Sequence, residues 1–167
     1  MSKIQMNKQG LIFLDFDGVL NDPYWLATVW PIRRKRNVKF EFDLSRLEIL
    51  RRICDRTDAQ LVLASSWSFR PGLVEYFESI GFKVAGLLRP HSNRGEAIKN
   101  FLGYSTANWI ILDDEKSDYD KEQLEHLVFT GTKVVDRWTK SNLVMAKCLI
   151  GLDERHIDEA LKLLETK

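Results

Sequence analysis

Two aspartates one residue apart, Asp15 and Asp17, stand directly beyond an apolar run at 11–14, and Gly18 follows them. Carboxylates that close to a hydrophobic core repel each other and lose solvation, so they coexist only with a compensating cation or a proton. A second acidic pair, Asp113 and Asp114, ends another apolar run that begins at Trp109, and a third run, 61–64, ends in Ser65, Ser66 and Trp67. Arg94 opens a stretch of helical spacing. Carboxylates from two strand ends supply the hard oxygen ligands that Mg²⁺ takes together with water and phosphate oxygens. Serine and arginine are suited to hold the phosphate, so the set amounts to a magnesium and phosphate site.

The elements that must position these groups read as strands alternating with helices. The run 11–14, bounded by a turn residue, suits a central strand buried on both faces. Residues 61–67, 83–88, 109–114, 127–130 and 133–136 follow as further strands, the last two around Gly131. Asp43 reads as the N-cap of a helix whose apolar face is Leu44, Leu47, Leu50, Ile53 and Cys54, with Arg46, Arg51, Arg52 and Arg56 on a solvated face. Pro71 suits the first turn of a helix running to about Ile80, with Gly81 as its C-cap. Arg94 sits at the start of a helix over 94–102 that Gly103 ends, and 142–150 and 153–164 read as closing helices. Asp118 either assists the metal site or starts the next helix. The pattern predicts an α/β fold with a mostly parallel sheet flanked by helices. In such sheets ligands bind beyond the carboxyl ends of the strands, where these tips converge.

Residues 22–42 lack clean periodicity and read as a long loop or small flap over the sheet edge. They carry Tyr24, Trp25 and Trp30, then Arg33, Arg34, Lys35 and Arg36, then Lys39. Aromatic faces beside cations suit single-stranded nucleic acid or a nucleotide; equally, the aromatics pack the flap onto the core. Trp67 either lines the substrate pocket or fills core.

With 167 residues, 44% hydrophobic and 29% charged, the chain is expected to form one domain, 1–167, with 22–42 as an insertion. A net charge of +1 does not advertise a nucleic-acid or membrane partner for the molecule as a whole. No run is long enough to span a membrane and no signal peptide is evident, so the expected location is cytoplasmic. Cys54 and Cys148 read as buried reduced thiols; His91, His126 and His156 show no metal spacing.

DFDGVLN, Ser65 at the end of LVLAS, Arg94 in RGEAIKNFL, and ILDDE occur in the order of the four motifs of the haloacid dehalogenase-like (HAD) phosphatase superfamily. The combination most resembles the compact HAD domains of RNA-repair and polynucleotide phosphatase proteins. That resemblance implies a Rossmann-like sheet with a minimal cap, and Mg²⁺-dependent phosphomonoester hydrolysis through an aspartyl phosphate. It assigns Asp15 as nucleophile and Asp17 as general acid and base that also touches the metal through its backbone carbonyl. Ser65 and Arg94 hold the phosphoryl group, with Lys99 competing for the basic role. Asp114 is the direct metal ligand, and Asp113 orients Arg94 or a metal-bound water. Ser66, Trp67, Arg33 and Arg34 are assigned to the substrate. The expected substrate is a nucleic-acid end, with a separate nucleic-acid repair enzyme as partner. The alternatives are a nucleotidase or small-metabolite phosphatase, and, from another class, a non-catalytic Mg²⁺-binding signalling or scaffold module.

Overall fold

Leu11–Leu14 form strand β1, whose last three residues have no solvent exposure. In the computed structural model, which describes residues 9–35, 39–88, 93–131 and 150–165, β1 is the middle of a five-stranded, all-parallel sheet. Its neighbours are β2 (Gln60–Leu63) and β4 (Trp109–Asp113), with Leu14 level with Leu63 and Leu112. Outside these lie β3 (Val84–Leu87) and β5 (Leu127–Phe129), giving the order β3-β2-β1-β4-β5.

Side chains alternate across a strand, so each apolar run divides between two cores. Ile12, Leu14, Leu61, Leu63, Ile110 and Leu112 face one cluster, packed by α3 (Leu44–Thr57), α4 (Leu73–Ser79) and α7 (Ile157–Glu165). Phe13, Val62 and Ile111 face the other, packed by Ile98 of α5 (Arg94–Leu102) and by Tyr119. The short α6 (Lys121–Leu124) leads into β5; its cap is Asp120, which accepts a hydrogen bond from Gln123 N in a reciprocal capping box, so Asp118 does not start that helix.

The chain runs outward from β1 through β2 to β3, then returns to β4 on the other side of β1. That reversal makes a crevice at the carboxyl ends of β1 and β4, the place where open α/β sheets hold ligands. Asp15 and the Asp113–Asp114 pair lie there.

Several local expectations change. Residues 22–35 are not a loop but two short helices, α1 (Pro23–Thr28) and α2 (Trp30–Lys35). Asp22 caps α1 by accepting from Trp25 N at 2.8 Å, and Pro23 suits its first turn, but six residues are too few to show a helical period. Helix α4 starts at Leu73 rather than Pro71, because Gly72 at φ 86° breaks the turn before it. A 3-10 turn, Ser66–Phe69, extends the tip of β2. Arg46 and Arg51 do not lie on a solvated face. Arg46 donates to Leu152 O at 2.9 Å and Ile150 O at 3.1 Å, and Arg51 donates to Ile80 O and covers the Phe82 ring. Leu44 is 80% exposed and leaves the apolar face to its partners. The readings on 133–136, 142–149, Arg36, Cys148 and His91 lie outside the described residues, as does the side chain of Arg33. Among the described residues, no helix is long and apolar enough to cross a membrane.

Candidate active site

Beyond β1 the chain turns tightly. Gly18 N donates to Asn21 O at 2.7 Å, and Leu20 N and Asn21 N both donate to Phe16 O. Phe16 is buried against Phe42, Phe77 and Trp67, which anchors the segment between its two acids. Gly18 is required twice over: its φ is 85°, and a Cβ there would lie 2.1 Å from the Asp114 carboxyl. Thr130 holds the turn from the β5 side, its hydroxyl donating to Gly18 O at 2.8 Å.

Asp15, Asp113 and Asp114 each present an oxygen within 4.8 Å of the others. Asp15 is 6% exposed, and burial together with the charge of Asp113 pushes its carboxyl up to about 7 against the pull of Arg94. Burial and Asp113 likewise push Asp114 up to about 6. Asp113 is fully buried and fully engaged: Oδ1 accepts from Glu115 N at 2.9 Å, and Oδ2 accepts from both Arg94 and the Tyr119 hydroxyl. Arg94, the first residue of α5, also approaches Asp15 Oδ1 at 3.7 Å. Burial disfavours its charge, but Asp15 and Asp113 more than offset this and raise its pKa. Lys99, one turn further along α5, instead pairs with Asp120 at the surface.

Three carboxylates against one guanidinium leave excess negative charge, all of it on oxygen, which is the donor chemistry a Mg²⁺ ion requires. Because Asp113 is occupied, Asp15 and Asp114 are the carboxylates that fit a metal, and the bare Gly18 lets the Asp114 carboxyl lie against the turn that follows Asp15.

Asp17 sits in different surroundings. Its Oδ2 accepts from Trp67 Nε1 at 3.0 Å, while Oδ1 is buried without a hydrogen-bond partner among the described residues. Burial raises its pKa, and Trp67, Asn21 and Arg70 oppose the shift. Trp67 is 5% exposed and packs on Phe42, Phe16 and Trp30, so it fills core and reaches the acid at once. Trp25 stacks on Trp30 at 5.9 Å, and these two aromatics therefore pack α1 and α2 inward.

The parallel register continues past β2, with Ala64 N donating to Leu14 O at 2.8 Å, so Ser65 stands level with Phe16 at the neighbouring tip. Ser65 is buried and its hydroxyl accepts from Trp67 N at 3.4 Å; Ser66 is exposed. Arg34 is an exposed residue of α2. Cys54 is half-buried, and burial pushes its thiol up to about 12. His126 stacks on Trp109 and His156 joins a capping box with Asp153; neither belongs to the crevice.

Sequence reasoning missed Tyr119, Arg70 and Thr130. For Tyr119 the available signal was one aromatic in the otherwise polar segment 115–120, and for Arg70 a cation beside an aromatic just after the serine tip. Thr130 carried no signal, since its contact spans 112 positions.

The family model describing the HAD domain in Swiss Army Knife RNA repair proteins matches residues 11–134, from β1 to beyond β5. The chain belongs to that family, and this membership suggests a phosphatase-type role. No curated protein and no solved structure matches it.

Proposed function

We propose that this HAD domain of the RNA-repair type is a Mg²⁺-dependent phosphomonoester hydrolase that acts on nucleic-acid ends through an aspartyl phosphate on Asp15. The observation that carries the reading is the arrangement at the crevice. A buried carboxylate at the tip of β1 lies between a guanidinium it approaches at 3.7 Å and a second carboxylate that fits a metal with it.

A magnesium ion held by Asp15 and Asp114 would supply charge neutralisation between the anionic carboxylate and the anionic phosphoryl group. The chain's own residues do the rest. Arg94, held by the Asp113 carboxylate that Tyr119 also bonds, offers N–H donors of its guanidinium to the phosphoryl oxygens without reorganising. Ser65, just beyond the adjoining strand β2, would donate its hydroxyl to the same group. An oxygen of Asp15 attacks phosphorus, and the bond from phosphorus to the leaving oxygen breaks. Asp17 gives that oxygen its proton. Trp67 ties down Oδ2, so Oδ1, which accepts no hydrogen bond among the described residues, is the atom suited to carry the proton. Asp17 then takes a proton from water, which attacks the aspartyl phosphate, frees inorganic phosphate and restores Asp15.

Among the described residues the insertion amounts to α1, α2 and the short segment after them, which we take as a minimal cap within a single domain. A cap that small suits a long substrate better than an enclosed metabolite. Purified protein is expected to hydrolyse p-nitrophenyl phosphate only with Mg²⁺, and Asp15→Asn to lower that rate at least about a thousandfold while the circular dichroism spectrum is kept. Undiminished activity would remove Asp15 as the nucleophile. Faster turnover of mononucleotides than of phosphorylated oligonucleotides would favour a nucleotidase.

A further inference from the structure

Phosphomonoester hydrolysis divides the substrate at the bond that breaks. The phosphoryl group stays with Asp15, and the remainder departs past the acid that protonates it. On the proposed reading that acid is Asp17, so the surface next to Asp17 meets the leaving group.

That surface is aromatic and basic. The Arg70 guanidinium lies 3.9 Å from the centre of the Trp67 ring, whose Nε1 donates to Asp17, and 5.7 Å from that of Trp30. Arg70 is exposed and, among the described residues, pairs with no carboxylate. A guanidinium laid on an indole is held in orientation while its edge N–H groups stay available to an anion.

Arg70 and Phe69, which is 54% exposed, also line an open groove of about 240 Å³ that reaches Leu73 and Leu87 near the end of β3. This is smaller than the roughly 300–1,000 Å³ of a site that encloses a whole small ligand, and so suits one unit of a longer molecule. Lys39 Nζ lies over Gly72 on the groove wall, and Glu75 is the acidic residue in the lining. Exposed Arg34 and Lys35 belong to α2, the helix whose Trp30 packs on Trp67.

We propose that the groove beside Asp17 holds the single strand of nucleic acid whose end is being dephosphorylated, with Arg70 pairing a backbone phosphate and Phe69 offering a face to the adjoining base. Cations that track a backbone and an aromatic that accepts any base are the means by which single strands are held without sequence readout. The inference rests on the assignment of Asp17 as the acid.

The test is fluorescence anisotropy with labelled ten-residue single strands, RNA and DNA, phosphorylated at the 3′ or the 5′ end, in EDTA to prevent turnover. Arg70→Ala is expected to weaken binding about tenfold and to reduce the slope of log affinity against log salt by about one. Arg70→Lys, which keeps the charge, is expected to recover most of that slope. In Mg²⁺, the loss of kcat/KM caused by Arg70→Ala is expected to be at least tenfold greater on the best oligonucleotide than on p-nitrophenyl phosphate. Unchanged affinity and salt slope, or equal losses on both substrates, would overturn the groove. The two readings fail separately. A wild-type protein inert toward every phosphomonoester removes the hydrolase and leaves binding to decide the groove. Turnover of p-nitrophenyl phosphate with oligonucleotide binding indifferent to Arg70 removes the groove alone.

Discussion

The two acids of one tripeptide face opposite kinds of wall. Asp15 looks onto charge locked in place: Asp113 is fully buried, and Arg94 and Tyr119 converge on a single oxygen of it. Asp17 looks onto rings, with Trp67 bonded to it and Arg70 lying on the outer face of that ring. The first wall has both Asp113 oxygens engaged, so it favours one arrangement of atoms. The second offers area and a cation that keeps its orientation, and it tolerates variation. A phosphoryl group is the same in every substrate, and what it is attached to is not, so the division matches what each half of such a substrate requires.

Breaking the charged wall is expected to have the largest effect. Asp113→Ala leaves the Tyr119 hydroxyl and Glu115 N without their acceptor and Arg94 with only its longer approach to Asp15, and should cost about 3–5 kcal/mol, read as a lower urea midpoint at unchanged m-value. Tyr119→Phe removes one hydrogen bond to the same carboxylate, and a loss of about 1.5–3 kcal/mol is expected in the same measurement. A neutral result would show that Tyr119 merely fills space. Asp15→Asn should act in the opposite direction. Its folded pKa is raised, so the carboxylate opposes folding progressively as pH climbs from its ordinary value near 4 to about 7, and the loss is complete above that. Without metal at pH 8 the variant should therefore melt roughly 2–6 °C above the wild type, and added Mg²⁺ should raise the wild type's melting temperature but not the variant's. A lower melting temperature for the variant would contradict the excess of negative charge argued for the crevice. The smallest effect belongs to the aromatic wall: Trp67→Phe keeps most of the packing and loses the bond to Asp17, so less than about 1.5 kcal/mol of stability should go.

What could be read from the chain follows from how local each cause is. The runs ending at Asp15, Ser65 and Asp113 announced central strands because burial on both faces demands unbroken apolar residues, and a polar residue marks where burial stops. Helix α5 was legible to the residue, from Arg94 to Gly103, because its cap and its glycine stop are encoded within ten positions. Helices α1 and α2 were not, since two six-residue pieces packed by Trp25 and Trp30 hold their shape through tertiary contact more than through pattern. Arg46 looked like any solvated arginine because the carbonyls it meets, on Ile150 and Leu152, lie more than a hundred residues away. Tyr119 was missed for a similar reason: a hydroxyl aimed at Asp113 leaves no spacing to detect.

The link between Thr130 and the turn after β1 bears on where this domain can be cut. Gly151 N donates to Thr130 O, and Leu152 N donates to Val19 O, so residues 151–152 close over the segment that carries both acids, and Arg46 fastens the carbonyls beside them. A fragment trimmed to the family match at 134 would keep Asp15, Asp17, Asp113 and Asp114 and lose this clasp. Modular swaps or expression fragments drawn at that border would leave the DxD turn hinged at one end, and the usable unit for grafting or library work runs through α7, whose Ile157, Ala160, Leu161 and Leu164 are buried in the same core as β1.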